Sequence, residues 1–255
     1  MSNLPLKIVI VDDEMPARNR LRDLLQDCKE ELPLEVVGEA SNGLEALALL
    51  QSCPADIALL DIRMPEMDGL ELAQHLHKLS APPAIIFTTA YDTHAIQAFE
   101  VHAIDYLLKP IRQARLLEAL TRVGTATLPQ QQETVLRQLR PRPRTHLSVH
   151  ERGRIRLIPA SDVVYLRAEL KYVTIRTHEK EYLLEESLTR LEEEFGEHFV
   201  RIHRSCLVAK DRIAGFEKTP EENGETHWVV LLTGVEEKLP VSRRQLHIVR
   251  ELGRG

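Results

Sequence analysis

Apolar and polar positions in the first half of the chain form two alternating kinds of segment. Short apolar runs bounded by turn residues are typical of buried parallel strands, and longer segments with apolar residues at helical spacing lie between them. The predicted strands are residues 6–11, 34–38, 57–61, 84–89 and 104–110. The predicted helices are residues 16–25, 43–50, 70–79, 93–100 and 112–123. This alternation predicts an α/β fold, a five-stranded parallel sheet with helices on both faces.

The pattern changes after residue 145 to many short strands with few helices. Arg152-Gly153 between two apolar runs is a hairpin signal, and Leu188, Leu191 and Phe195 mark one short amphipathic helix. A C-terminal helix is expected from Arg243. The predicted strands are residues 147–149, 155–158, 163–166, 172–176, 181–184, 199–204, 205–208, 213–218, 228–232 and 238–241. This half contains no Gly-rich phosphate loop, zinc-ligand spacing or nucleophile motif, so we interpret it as a mostly-β binding module and not an enzyme.

A polar segment rich in Gln, Pro and Arg separates the two halves and is typical of an exposed linker. We therefore expect three parts: a domain over residues 1–123, a linker over 124–144 with its arginines in solvent, and a second domain over 145–255. Residues 1–123 carry 11 Lys and Arg against 19 Asp and Glu, whereas residues 124–255 carry 22 against 20. An acidic half joined to a mildly basic half indicates two different tasks.

Composition argues against secreted and membrane proteins. The longest apolar runs are far shorter than the ~20 residues that span a bilayer, and we find no charged-then-apolar leader. Cys28, Cys53 and Cys206 have no framework spacing and no CxxC motif, so we expect reduced thiols. The expected location is the cytoplasm, with no membrane partner.

Polar residues follow the predicted strands at their carboxyl ends, where the crevice of an open α/β sheet lies. They are Asp12, Asp13, Asp61, Thr89 and Lys109. Each alone is compatible with a solvated loop residue or a helix cap. Together, three carboxylates repel one another unless a cation neutralises them or protons remain bound, and an oxygen-only set suits Mg²⁺. A hydroxyl and an ammonium group beside them would hold phosphoryl oxygens, so the set predicts an aspartate that accepts a phosphoryl group.

Five motifs make this half resemble the receiver domain of two-component response regulators. They are Val11-Asp12-Asp13-Glu14, Leu60-Asp61-Ile62-Arg63-Met64-Pro65, Asp68-Gly69, Thr89-Ala90 and Lys109-Pro110. The resemblance implies a flavodoxin-like sheet, with Asp61 as the phosphoacceptor and a sensor histidine kinase as partner. It also implies that Asp12, Asp13, Asp61 and the Arg63 carbonyl hold Mg²⁺. Thr89 and Lys109 would contact the phosphoryl group, Tyr106 would be an aromatic switch, and Lys109-Pro110 would be a cis bond.

A haloacid-dehalogenase-type phosphohydrolase is a rival interpretation, because it also phosphorylates an aspartate at a strand end. That chemistry needs a second carboxylate two residues later as general acid. Here the position is Arg63, so the hydrolase interpretation is poor and Asp61 is expected to hold phosphate as a signal.

The second half resembles the LytTR DNA-binding domain through three motifs. They are Leu170-Lys171-Tyr172-Val173-Thr174-Ile175, Phe199-Val200-Arg201-Ile202-His203-Arg204-Ser205 and Leu239-Pro240-Val241-Ser242-Arg243-Arg244. The resemblance implies a dimer that binds double-stranded promoter DNA in successive major grooves. The implied DNA-binding residues are Lys171, Tyr172, Arg201, His203, Arg204, Ser205, Arg243 and Arg244. The alternative is a receiver-controlled protein-interaction module that does not bind DNA, although the half shows no exposed apolar run to dock a partner.

Overall fold

A computed structural model describes residues 4–90, 103–123, 143–220 and 226–252. The chain divides into two compact units, Met1–Arg142 and Pro143–Gly255. The helix expected over residues 93–100 lies outside the described residues. Among the described residues, no helix combines the length and the apolar character that a bilayer-spanning helix requires.

The first unit is an α/β sandwich around one parallel sheet. Its strands are β1 (Leu6–Val11), β2 (Leu34–Ala40), β3 (Ile57–Asp61), β4 (Ala84–Thr89) and β5 (Asp105–Leu108). Its described helices are α1 (Met15–Cys28), α2 (Gly43–Ser52), α3 (Gly69–Leu76) and α4 (Gln113–Val123). The strand order is β2-β1-β3-β4-β5 and every pairing is parallel. The predicted α/β class is therefore confirmed.

Local sequence explains where the helices of this unit begin. The Asn42 side chain accepts a hydrogen bond from the Glu45 amide at the start of α2, and the Asp68 side chain accepts one from the Glu71 amide at the start of α3. Such caps satisfy backbone donors that have no partner inside the helix. The strands β3 and β4 are buried along their whole length, as expected for a parallel sheet with both faces covered.

The second unit is mostly β. Its strands are β6 (His146–Glu151), β7 (Arg154–Pro159), β8 (Val163–Glu169), β9 (Tyr172–Thr177), β10 (Glu181–Leu184), β11 (Phe199–His203), β12 (Cys206–Ala209), β13 (Ile213–Pro220), β14 (Thr226–Leu232) and β15 (Leu239–Pro240). Its described helices are α5 (Leu188–Phe195) and α6 (Leu246–Leu252). A five-stranded antiparallel sheet has the order β10-β9-β8-β12-β11, beside a three-stranded sheet β13-β14-β15 and the hairpin β6-β7. The mostly-β prediction is confirmed.

Two apolar cores stabilise this unit because successive residues of its central strands alternate between faces. Leu166 and Leu207 pack with α5 and the β6-β7 hairpin in one core. Tyr165 and Val208, their neighbours in sequence, pack with residues of β14 and β15 in the other. The central strands β8 and β12 are thus covered on both faces, whereas Glu181 and Leu183 of the edge strand β10 are exposed.

Arg144 corrects the expectation of a fully solvated linker. It is only 2% exposed, and its guanidinium donates to the carboxylates of Glu186 and Glu194 at distances of 2.8–3.1 Å. The expectation was wrong because its partners lie more than 40 residues away in sequence, so local composition carries no signal of the pairing. This arginine is part of the folded second unit.

Candidate functional site

The carboxyl ends of β1 and β3 bring three aspartates together in the first unit. One carboxylate oxygen from each of Asp12, Asp13 and Asp61 lies within 4.8 Å of the others. Asp12 and Asp61 are buried, whereas Asp13 is exposed. Adjacent strands of a parallel sheet end at the same edge, which explains why residues 49 positions apart meet. An oxygen-only cluster of this kind matches the ligand preference of a hard divalent cation.

Lys109 joins the cluster from the end of β5. Its Nζ lies 2.7 Å from Asp12 Oδ2 and 2.9 Å from Asp61 Oδ2. Burial lowers the pKa of Lys109, but its hydrogen bonds with the two carboxylates outweigh that and raise the pKa overall. The lysine therefore stays charged and partly neutralises two carboxylates that would otherwise repel each other.

Asp61 is a buried carboxylate with hydrogen bonds to two other groups. Burial raises its pKa, opposed by the hydrogen bond from Lys109, and the nearby charge of Asp12 raises it further. Its Oδ1 accepts a hydrogen bond of 3.4 Å from the Arg63 backbone amide. A half-desolvated carboxylate held beside a cation is suited to nucleophilic attack on a phosphoryl group.

Gly69 fixes the loop after β3 against Asp61. A Cβ at this position would lie 2.1 Å from the Asp61 carbonyl oxygen, and the Gly69 amide donates to the Ile62 carbonyl at 2.9 Å. Only glycine permits this approach of the two backbones. The Asp68-Gly69 motif in the sequence does not by itself indicate that the glycine sets the distance between α3 and the acidic cluster.

The remaining predicted residues of this unit lie on β4 and β5. Thr89 is fully buried at the end of β4, and its carbonyl accepts a 2.7 Å hydrogen bond from the Lys109 amide. Tyr106 stacks on Phe87 with ring centroids 5.5 Å apart. The Lys109–Pro110 peptide bond is cis, as the resemblance implies. The structure thus places Asp12, Asp13, Asp61, Lys109 and the Arg63 amide together.

Six of the eight predicted DNA-binding residues of the second unit lie at three turns, and Arg201 and His203 lie on β11. Lys171 and Tyr172 lie at the β8-β9 hairpin, with the Lys171 ammonium 5.9 Å from the centre of the Tyr172 ring. Arg204 and Ser205 form the two-residue loop between β11 and β12. Arg243 and Arg244 begin a 3₁₀ turn before α6. Lys171, Arg204, Arg243 and Arg244 are exposed.

Two backbone hydrogen bonds link the segments of chain that carry these three turns. The Ala168 amide donates to the Ser205 carbonyl at 2.8 Å, which links β8 to the β11-β12 loop. The Ser242 amide donates to the Ile202 carbonyl at 2.9 Å, which links the 3₁₀ turn to β11. The ladder between β11 and β12 shifts register between Arg201 and His203, and such irregularities re-aim side chains. Positions up to 73 residues apart in sequence are therefore held in one frame.

Arg201 and His203 differ from the exposed DNA-binding candidates because the side chains of both form hydrogen bonds within the second unit. Arg201 Nε lies 2.6 Å from Glu192 Oε2, and Arg201 Nη1 donates to the Arg204 carbonyl at 2.9 Å. His203 Nδ1 lies 2.8 Å from Ser205 Oγ and accepts from the Ser205 amide at 3.3 Å. The sequence motifs give no sign of Glu192 as a partner, because it lies on α5, a different element from Arg201.

Comparison with known families matches the two units to two models. The response regulator receiver domain matches residues 8–121, and the LytTr DNA-binding domain matches residues 153–254. The chain is 44% identical over 253 residues to the positive alginate biosynthesis regulatory protein of Pseudomonas aeruginosa, covering 97% of this chain and 98% of that protein. It is 35% identical over 252 residues to the sensory transduction protein LytT of Bacillus cereus, covering 97% and 98%.

Among solved structures, the response regulatory domain of protein mrkE from Klebsiella pneumoniae is 38% identical and covers 47% of this chain and 96% of that one, with a TM-score of 0.41. The relatives and family models define a class, the two-component response regulators that act as transcription factors. Within it, the chain belongs to the family in which a receiver domain precedes a LytTr DNA-binding domain. A receiver implies a kinase partner, and a LytTr domain implies DNA as the ligand.

Proposed function

We propose that Asp61 accepts a phosphoryl group from a sensor histidine kinase and that the modified protein binds promoter DNA in the bacterial cytoplasm as a dimer. The observation that carries the first step is the position of Asp61, whose carboxylate lies 2.9 Å from Lys109 Nζ and beside Asp12 and Asp13. A nucleophilic carboxylate, a cation and further acidic groups are what phosphoryl acceptance requires.

Mg²⁺ fits the acidic cluster by ligand chemistry. Asp12, Asp13 and Asp61 would hold it together with the backbone carbonyl of Arg63, because all four offer oxygen ligands. When bound, the ion would neutralise negative charge on the phosphoryl oxygens. Lys109 supplies a second positive charge at the same edge of the sheet, so the phosphoryl group would be stabilised from two sides.

Thr89 and Tyr106 couple the modified carboxylate to the β4-β5 side of the receiver. A phosphoryl group adds about −1.5 to −2 charge and new acceptor oxygens, which would attract the Thr89 hydroxyl and change the packing of Tyr106 on Phe87. A changed β4-β5 face would favour pairing of two receivers. Pairing places two DNA-binding units on one duplex and raises the effective concentration of the second.

The three connected turns of the second unit are the proposed DNA-binding surface. Arg204, Arg243 and Arg244 can bond guanine edges in the major groove, and Lys171 can neutralise phosphates. Tyr172 and Ser205 support these positions from the same turns. The two backbone hydrogen bonds support this proposal because they link the segments of chain that carry these four exposed cations.

The phosphoacceptor is tested with radiolabelled acetyl phosphate and the full-length protein. Asp61→Asn removes the nucleophile with little change in size, so we expect acid-labile label to disappear. Asp23→Asn changes an exposed aspartate of α1 and serves as the matched control, which should label like the unmodified protein. Label retained by Asp61→Asn would overturn the assignment of the acceptor.

The DNA-binding surface is tested by gel shift on a duplex selected by the full-length protein from a random pool. We expect Arg204→Ala and Arg243→Ala each to weaken binding about tenfold or more, because a good bidentate contact is worth about 1–3 kcal/mol. Arg154→Ala, which removes an exposed arginine of β7, is the control. Unchanged binding by the Arg204→Ala, Arg243→Ala double variant would contradict the proposed surface.

A further inference from the structure

The β11-β12 loop carries the exposed Arg204, and a neighbouring side chain holds its backbone. Arg201 extends along its own hairpin, where Nη1 donates to the Arg204 carbonyl at 2.9 Å. The Nε of the same guanidinium is 2.6 Å from Glu192 Oε2 on α5. One side chain therefore bridges a helix and the tip of a hairpin, and its two bonds fix the guanidinium from both ends.

Arg201 and Arg204 differ in exposure and therefore in their availability to DNA. The Arg201 side chain is 15% exposed, whereas Arg204 is exposed and has no ion pair among the described residues. A guanidinium has five donors in a rigid fork, so Arg201 can serve two acceptors without moving. Because the Arg201 guanidinium already binds two acceptors within the protein, it has fewer donors left to contact DNA.

We propose that Arg201 is a positioning residue for DNA recognition, held by Glu192, and that it aims the Arg204 loop without contacting DNA itself. The inference deepens the proposed function and rests on the assignment of this surface to DNA. It gives Arg201 a different role from the direct contact that the resemblance implies. Fixing the loop before binding reduces the ordering cost that the complex would otherwise incur.

Other hydrogen bonds also hold the backbone at the β11-β12 loop. The Ser205 carbonyl accepts from Ala168 of β8, and the Ile202 carbonyl accepts from Ser242. The Ser205 amide donates to His203 Nδ1. The Arg204 carbonyl is the remaining backbone acceptor of the two-residue loop, and Arg201 is the group that binds it. With that bond, both carbonyls of the loop are tied to neighbouring segments.

The two possible roles of Arg201 predict opposite effects of removing Glu192. If Arg201 bound phosphate or a base, the Glu192 carboxylate would compete with the DNA, and its removal would strengthen binding. If Arg201 positions the loop, removal of Glu192 frees the guanidinium and weakens binding. Glu193 is the matched control because it is the next residue of the same helix, carries the same charge and is exposed without an ion pair among the described residues.

The experiment measures affinity of the full-length protein for its selected duplex by fluorescence anisotropy over a range of salt concentrations. We expect Glu192→Gln to bind about five- to tenfold more weakly than Glu193→Gln, with the same salt slope, because the number of neutralised phosphates is unchanged. Arg201→Lys should bind the duplex more weakly by a similar factor, since an ammonium group lacks the forked donors of a guanidinium. Glu192→Gln binding as tightly as Glu193→Gln, or more tightly, would overturn the proposal.

A DNA-free measurement separates this inference from the proposed function. Exchange of the Arg201 Nε proton with solvent, followed by NMR, should be much slower than that of Arg204 and should accelerate in Glu192→Gln. Equal exchange at the two arginines would refute the positioning contact whether or not DNA binds. Failure of the full-length protein to select any duplex would instead refute the proposed function and leave the exchange result to decide the positioning contact.

Discussion

Asp105 at the start of β5 is a buried carboxylate held by two arginines of α4. It is 7% exposed, and Arg115 and Arg122 donate to it at 2.8 and 3.0 Å. Burial raises the pKa of Asp105, but the hydrogen bond and charge of Arg115, with the charge of Arg122, outweigh burial and lower the pKa below its ordinary value. The same arginines also pair with Glu118, whose side chain is 52% exposed. The two acidic groups therefore differ mainly in burial.

We expect Asp105→Asn to reduce the free energy of unfolding of the first unit by about 2 kcal/mol at pH 7, because a buried charged partner is lost. Glu118→Gln should cost less than about 0.5 kcal/mol, as for exposed ion pairs. Denaturant unfolding of both variants measures the difference.

The pH dependence provides a second check on Asp105. A carboxylate whose pKa is lower in the folded state stabilises the fold above its unfolded pKa of about 4. That contribution is lost as the pH falls through the lowered folded value. The difference in the free energy of unfolding between Asp105→Asn and the unmodified protein should therefore become smaller at acid pH. Equal losses in the two variants at pH 7, or an Asp105 effect unchanged at acid pH, would contradict this account.

At the scale of elements, Arg144 ties the start of the second unit to the end of α5. Its guanidinium pairs with Glu186 and Glu194 and lies 5.9 Å from the centre of the Phe195 ring. Removing one member of a buried ionic group leaves the others uncompensated, which costs more than the group contributes as a whole. We therefore propose that the folded second domain begins before residue 145, the boundary that composition alone suggests.

Two fragments test this boundary. The fragment of residues 143–255 should unfold with a free energy about 3 kcal/mol larger than that of residues 145–255, because the shorter one leaves two carboxylates without Arg144. Arg144→Lys in the longer fragment should give an intermediate value, since lysine lacks the fork that binds both glutamates. Identical denaturant midpoints for the two fragments would show that Arg144 contributes nothing to the fold.

Most elements could be predicted from sequence because their signals are local. The strand at residues 6–11 was predicted with the bounds observed, since a parallel strand is a continuous apolar run. The observed bounds differ from the predicted ones where contacts between separate elements determine where a strand or helix begins. The strand predicted to begin at Ser205 begins at Cys206 because Arg204 and Ser205 form the loop, and the helix expected from Arg243 starts as a 3₁₀ turn with α-helix from Leu246.

The candidate sites were predictable to different degrees for a physical reason. The acidic cluster follows from strand order, because residues at the carboxyl ends of parallel strands must meet at one edge. The pairing of Arg201 with Glu192 and the link between Ala168 and Ser205 depend on how separate elements pack. No periodicity or spacing in the sequence encodes those distances, so they required the structure.

At the scale of the whole molecule, the two halves of the sequence, residues 1–123 and residues 124–255, differ in charge. The first 123 residues carry a net charge of −8 and the remaining 132 a net charge of +2. A net charge of +2 is a weak attraction for DNA, so we expect recognition to depend on the local arrangement of Lys171, Arg204, Arg243 and Arg244. Phosphorylation would make the first unit more negative still, so we expect the proposed gain in DNA affinity to come from pairing of receivers and not from direct attraction.

Coupling between Asp61 and DNA is the central claim, and one titration tests it most directly. The affinity of the full-length protein for its selected duplex is measured with and without acetyl phosphate, in the unmodified protein and in Asp61→Asn, at one fixed salt concentration. We expect acetyl phosphate to tighten binding by the unmodified protein about tenfold or more, a coupling of about 1.4 kcal/mol, and to leave Asp61→Asn unchanged. An equal increase in both proteins, or no increase in protein shown to be phosphorylated, would contradict the account.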